Sequence, residues 1–380
     1  MNLETAGMDL ELRVQRRVRR IDVAVDGVYG SNPLQGVKDR AAADVPGVQD
    51  LRDAGERREN AVPQKAVRIR DKADYDGFLI MRLCDVHCHF FSTRFLEILT
   101  GGLPDLPEAD RALEVSHRLG WDFPGSADGL ADRWAAELDR HGVARAAIIA
   151  SIPGDEDSVA AAVRRHPSRF VGFFMFNPTQ GDVGGRLRRA LGELRLRGIC
   201  LFPAMHGYRL DEERARDVFA AAAVHNAVVF VHCGVLTVGV RKKLGLPSPF
   251  DLRLGDPLAL ATTAARFPQV RVIVPHFGAG QFRELLMAVD HSPNIHIDSS
   301  SSNSWMKYYP GLTLDAVFRQ ALAVAGPERV LFGTDSSFFP RGWQQPILAA
   351  QDAALRAAGV SDEDRAKIFG GNFDRLFPLS

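Results

Sequence analysis

From Met81 onward the chain alternates short apolar runs with amphipathic helical stretches, and this alternation leaves few folds open. The strand candidates are RLCDVHCHF, ARAAIIAS, RFVGFFMFN, GICLF, AVVFVHC, VRVIVPHF, NIHIDSS and RVLFGTD. Between most of them lie helical patterns such as GLADRWAAELDRHG, EDSVAAAVRRHP, GRLRRALGELRLRG, ERARDVFAAAAVHN and LDAVFRQALAVAGP. Apolar strands without polar alternation fit a parallel sheet covered on both faces. In HPSRFVGF, FPQVRVIV, SPNIHI and GPERVLFG a proline precedes the strand, where it ends a helix and admits an extended neighbour. Eight such units over residues 81–380 predict an α/β fold of the (β/α)8 TIM-barrel type. A doubly wound open sheet is the alternative, but the glycine-rich phosphate turn it usually carries after its first strand is absent.

Residues 1–80 read differently. They hold the charge-dense VQRRVRR and LRDAGERREN and only Tyr29, Tyr75 and Phe78 as aromatics, so they can bury little. The expected organisation is a low-order N-terminal extension over 1–80, or a wrongly assigned start, followed by one barrel domain over 81–380. A basic arm on Arg16, Arg17, Arg19 and Arg20 is the functional alternative. Across the chain Lys plus Arg and Asp plus Glu are 47 each, so no net field favours nucleic acid or an anionic membrane as the main partner. The four cysteines, Cys84, Cys88, Cys200 and Cys233, form no CxxC pair, and neither a signal peptide nor a membrane-length apolar run is visible. The expectation is a reduced, cytoplasmic protein acting on a small molecule, with a homodimer left open.

The polar residues fall at strand ends. In MRLCDVHCHFFS, Asp85, His87 and His89 alternate, which on a regular strand puts all three on one face. His87 and His89 close the first run, His232 closes AVVFVHC, His276 closes VRVIVPHF and Asp335 closes RVLFGTD. In a TIM barrel the chemistry sits at those ends, so the five side chains are expected to meet at one mouth. Imidazoles with a carboxylate suit zinc or a similar divalent ion. A lone HxH pair arises by chance and as a hydrogen-bonded core pair; the shared placement of five residues is the stronger signal. His117, His141, His166 and His225 fall in helices or at their ends. His206, His291 and His296 stay open, with His206 the best placed to touch a substrate.

The chain resembles the amidohydrolase superfamily, and within it the amidohydrolase-2 branch that includes aminocarboxymuconate semialdehyde decarboxylase. The resemblance rests on DVHCHF, FVHCG, VPHFG, LFGTD and the tail IFGGNFDRLF, which together span nearly all of residues 81–380. It implies His87, His89, His232 and Asp335 as ligands of one divalent metal, zinc first and manganese second, with His276 and Asp335 as catalytic residues. Asp85 matches the acid that often precedes the pair; either it orients a ligand imidazole or it satisfies buried backbone groups. The fourth strand reads GICLFP, with no lysine or glutamate to bridge a second metal, so one ion is expected. Cys200 and Cys233 as thiolate ligands are the minor alternative.

Such an ion lowers the pKa of a bound water to about 7, so that it can attack a carbonyl. The expected function is therefore metal-dependent hydrolysis of a small amide, lactone or ester. Non-oxidative decarboxylation of an aromatic or unsaturated acid is the alternative, and an inactive binding or scaffold barrel is the third reading. Arg94, Arg241, Lys242, Lys243, Lys307 and Arg341 are candidates to meet an acidic substrate. Trp121, Phe123, Trp305, Tyr308, Tyr309, Phe338 and Trp343 lie on long loops that could line a pocket for a ring.

Overall fold

The computed structural model describes residues 81–379 apart from 102, 104, 107, 108 and 302. The expected extension over residues 1–80 and its arginine arm lie outside the described residues.

The strands are β1 (Leu83–His89), β2 (Val143–Ala150), β3 (Phe170–Phe176), β4 (Gly198–Leu201), β5 (Val228–Val231), β6 (Val272–Val274), β7 (Ile295–Asp298) and β8 (Val330–Leu331). They form one sheet in the order β1 to β8, each neighbour parallel. The sheet closes on itself beyond β8: Val86 N donates to Phe332 O at 3.0 Å, His89 N to Ser336 O at 2.7 Å, and Cys88 forms a parallel bridge with Ser336. This is the eight-stranded parallel barrel that the alternation of apolar runs predicts.

The helices are α1 (Thr93–Thr100), α2 (Arg111–Leu119), α3 (Ala127–Arg140), α4 (Glu156–Arg165), α5 (Val183–Arg188), α6 (Pro203–His206), α7 (Glu213–His225), α8 (Gly239–Lys243), α9 (Pro257–Arg266), α10 (Phe282–His291), α11 (Leu314–Ala325), α12 (Gln345–Ala357), α13 (Asp362–Ala366) and α14 (Asn372–Leu376). Their starts are written locally. Ser126 caps α3 by accepting from Gly129 N at 3.1 Å, and Asp256 caps α9 ahead of a proline at its first position. In α3, Leu130, Ala131, Trp134, Ala135 and Leu138 repeat every three or four residues and are the buried stripe that packs on the sheet.

Apolar side chains fill two layers. Ile148, Phe174, Leu201, Val229 and Ile297 point outward under the helices, while Val86, Ile149, Phe173, Cys200, Phe230, Ile273 and Leu331 fill the barrel. Fully burying a side chain such as Phe230 contributes about 2–3 kcal/mol. At the N-terminal end Phe373, Leu376 and Phe377 join the inner layer and plug the barrel. Arg145 holds that plug, donating to Phe377 O at 2.6 Å and to Asp374 at 2.8 Å. The opposite end is thereby left for polar groups.

Candidate metal centre at the barrel mouth

The first strand does not keep the alternation its sequence suggests. The β1–β2 register shifts between Asp85 and Cys88. Cys84 and Val86 face the barrel interior, Leu83 and Cys88 face the helices, and His87 turns inward against Phe230, 5.0 Å between ring centres. Asp85 therefore does not share the face of His87 and His89. Its buried carboxylate accepts from His87 N (2.9 Å), Thr334 N (3.1 Å), Thr334 Oγ1 (2.5 Å) and Trp343 Nε1 (2.7 Å), which ties β1 to the segment after β8. Burial pushes its pKa up against those hydrogen bonds. Of its two expected roles, the satisfaction of buried backbone groups is the one this geometry displays.

Above it, His87, His89 and Asp335 converge. His87 Nε2 lies 3.3 Å from His89 Nε2, and Asp335 Oδ1 lies 3.0 Å from His89 Nε2 and 3.6 Å from His87 Nε2. The hydrogen-bond network fixes which nitrogens carry protons. The Ser151 hydroxyl donates to Ile149 O, so it accepts from His89 Nδ1 at 2.6 Å. The Ser300 hydroxyl donates to Asp298 at 2.8 Å, so it accepts from His276 Nδ1 at 2.9 Å, while His87 Nδ1 donates to Asp298 at 2.8 Å. In the neutral imidazoles each Nε2 is thereby left as a lone pair. With the imidazoles neutral, two such lone pairs and a carboxylate within 3.6 Å face one another, an arrangement that a divalent cation would satisfy.

The electrostatics agree. Burial lowers the pKa of His87, but the hydrogen bond and charge of Asp298, with Asp335 and Asp85, carry it above its ordinary value. Burial pushes His89, His276 and His232 down. Burial also works against the Asp335 carboxylate, yet His89, 3.0 Å away, and the neighbouring imidazoles hold it well below the usual range. The spot attracts positive charge, and a metal competes with a proton for it.

His276 and His232 continue the ring array. His276 lies 5.0 Å from His87, and His232 lies 5.4 Å from His276 and stacks on Phe202 at 5.5 Å, centre to centre. His232 Nδ1 is buried without a hydrogen-bond partner. The backbone here is unusual: φ is positive at every residue from His276 to Gly280, and at Asp335 it is +61°. For residues with a Cβ this costs on the order of 1 kcal/mol each and persists because surrounding contacts enforce it. One such contact is the packing of Gly234, after β5, on the β6 turn: a Cβ there would lie 2.1 Å from Gly278 O. This approach brings His232 beside His276.

Asp298, Ser300 and Ser151, which orient the imidazoles, were not singled out in the sequence. Asp298 closes NIHIDSS at the same strand-end position as the residues that were, so its position was a usable signal; the serines offered none. The cysteines are all free and buried, and burial raises the Cys200 and Cys233 thiols, which disfavours thiolate ligation. Trp305 and Trp343 do not line the mouth: Trp305 packs with Phe277, Phe282 and Tyr309, and Trp343 packs on Phe332 and bonds Asp85. Of the candidate cations Arg341 comes nearest, donating to Asp335 O at 3.2 Å, whereas Arg94 pairs with Glu97 on the surface. His206 is partly buried in α6, its pKa pushed down to about 4 by burial and by Arg186, and makes none of these contacts. Among the described residues no helix is long and apolar enough to cross a membrane.

The fold recurs among solved structures. A 5-carboxyvanillate decarboxylase from Sphingomonas paucimobilis is 18% identical with a TM-score of 0.51, covering 79% of this chain and 100% of that one. A dihydroxybenzoic acid decarboxylase from a Polaromonas species, solved with bound manganese and 2-nitroresorcinol, is 18% identical with a TM-score of 0.51, covering 78% and 97%. An amidohydrolase from Burkholderia multivorans, solved with bound zinc, is 14% identical with a TM-score of 0.51, covering 79% and 100%. No curated protein matches the chain. At these identities the likeness is one of fold. The sequence itself carries the relationship further, because the amidohydrolase family model matches residues 84–379, from β1 to the segment after α14. With strand-end histidines and an aspartate gathered at the mouth of that barrel, the chain belongs to the amidohydrolase family.

Proposed function

We propose that residues 81–380 form a metal-dependent enzyme that releases carbon dioxide from a small, flat ring acid. Its single cation, zinc or manganese, would be held by His87, His89 and Asp335, with His232 as the further ligand. The observation that carries the choice of substrate is an aromatic wall beside the converging lone pairs. Phe91 lies 5.4 Å from the His89 ring and stacks on Phe95 and Trp121, and Trp121 stacks on Phe338 at 4.3 Å. On the other side Phe202 covers His232, with Met205 and Leu236 packed nearby. Such walls favour a planar ring and disfavour a free carboxylate relative to neutral carbon dioxide. Two of the structural neighbours are, by name, decarboxylases of ring acids, which supports the reading.

When bound, the cation supplies Lewis acidity at a substrate oxygen and lowers the pKa of water. Asp335, an ionised carboxylate beside His89, would take a proton from water or a substrate hydroxyl and return it to the ring carbon as the bond to the departing carbon dioxide breaks. His276, with Nδ1 donating to Ser300, keeps its Nε2 lone pair to accept from a substrate hydroxyl or a water. Hydrolysis of an ester, amide or lactone is the second reading, favoured by that same ionised Asp335, which suits taking a proton from water.

The test is to load the full chain with zinc or manganese and supply hydroxylated benzoates and cyclic lactones. Carbon dioxide in step with loss of the acid is the expected result. Ring opening without gas release would move the assignment to hydrolysis, and no turnover of either class by metal-loaded protein would defeat both.

A further inference from the structure

Asp335 sits at the mouth although the strand that leads to it is short. β8 is only Val330–Leu331, and it pairs with β7 at Ile297↔Val330 and Asp298↔Leu331. The last backbone bond between these two strand ends among the described residues is Ser299 N to Leu331 O at 3.0 Å. Beyond it two arms continue without a ladder. One, Asp298–Ser300, carries the groups that orient His87 and His276; the other, Gly333–Asp335, delivers the carboxylate. They lie close: a Cβ at Gly333 would be 2.6 Å from Asp298 Oδ1 and 3.0 Å from the Cβ of His87.

The side chain of Gln351, on α12 outside the barrel, spans both arms. Its Nε2 donates to Ser299 O at 2.8 Å and to Gly333 O at 3.2 Å, and its Oε1 accepts from Ser299 Oγ at 2.6 Å. Gln351 is 1% exposed, so these carbonyls have little access to water should the amide be removed. We propose that Gln351 is a positioning residue of the metal centre, its amide standing in for the missing β7–β8 ladder and setting the spacing between the arm that orients the imidazoles and the arm that carries Asp335. The inference rests on the metal reading given above.

Binding of Co2+ by the full chain, followed by its visible absorption, tests both and keeps them apart. Wild-type protein should take up about one equivalent. Gln351→Met, which keeps the length and removes all three hydrogen bonds, should bind about tenfold more weakly while retaining its circular dichroism. Leu355→Ala, a buried truncation on the same helix, serves as the control of comparable thermal destabilisation and should bind as wild type does. Unchanged affinity in Gln351→Met, or an equal loss in Leu355→Ala, overturns the positioning role. If Gln351→Met does not fold, Ser299→Ala removes one of the three bonds and should weaken Co2+ about threefold; unchanged affinity there also overturns it. Failure of the wild-type chain to bind Co2+ at all defeats the metal reading itself, and this proposal with it.

Discussion

The two ends of the barrel use the same residue types to opposite ends. On β7, His296 and Asp298 sit two residues apart on the inward face, alternating with the outward Ile295 and Ile297. Asp298, at the mouth, orients His87. His296 lies one layer deeper, its Nδ1 3.2 Å from Asn294 O and its pKa pushed down to about 4 by burial. Arg145 at the floor bonds a carboxylate and the chain's own carbonyl, whereas at the mouth two neutral imidazole nitrogens and a carboxylate face one another. A buried polar side chain whose partner belongs to the fold is structural; one left facing other acceptors is prepared for a ligand. Depth along the strand decides between the two.

That division can be broken by mutation. The largest effect is expected from His87→Ala, which should reduce bound zinc or manganese from about one equivalent to almost none by elemental analysis, with the fold retained. At the floor, Phe373→Ala should lose about 3–5 kcal/mol of stability in urea unfolding yet keep its metal; loss of metal from the folded variant would show that the ends are not independent. A smaller effect belongs to His296. Because burial lowers its folded pKa from the ordinary 6.5, the unfolded chain takes up a proton there that the folded chain refuses. Its contribution is intact above pH 6.5 and fades as the pH falls toward 4. Between pH 6.5 and about 5, wild type should lose on the order of 2 kcal/mol more than His296→Asn. The mildest change, Ser151→Ala, removes the acceptor for His89 Nδ1 and should weaken Co2+ binding a few-fold in titration.

Much of this was legible in the chain. Each of the eight apolar runs overlaps one strand of the barrel, and DVHCHF, FVHCG, VPHFG and LFGTD carry the side chains that gather at its mouth. Strand parity was less secure: the register shift in β1 separates Asp85 from the histidines, and a bulge leaves no mark in residue types alone. Trp343 looked like a pocket residue because loops are often functional, but its indole is the donor that satisfies Asp85. Gln351 was not legible at all. It sits on an outer helix among ordinary helix formers, and its partners are backbone carbonyls, which every residue has.

Sequence alone therefore determined the periodic features: which runs are buried on both faces, where helices interrupt them, and which chemical groups stand where each strand ends. Those follow from local rules of strand and helix, where spacing in the chain maps directly onto spacing in space. Tertiary structure alone decided which groups meet. The assignment of lone pairs at His87, His89 and His276 depends on Asp298, Ser151 and Ser300, held within hydrogen-bond reach by barrel closure rather than by any short-range pattern. Hydrogen bonds and burial act over a few ångströms between residues up to some 250 apart in the chain, and only the folded barrel sets those distances.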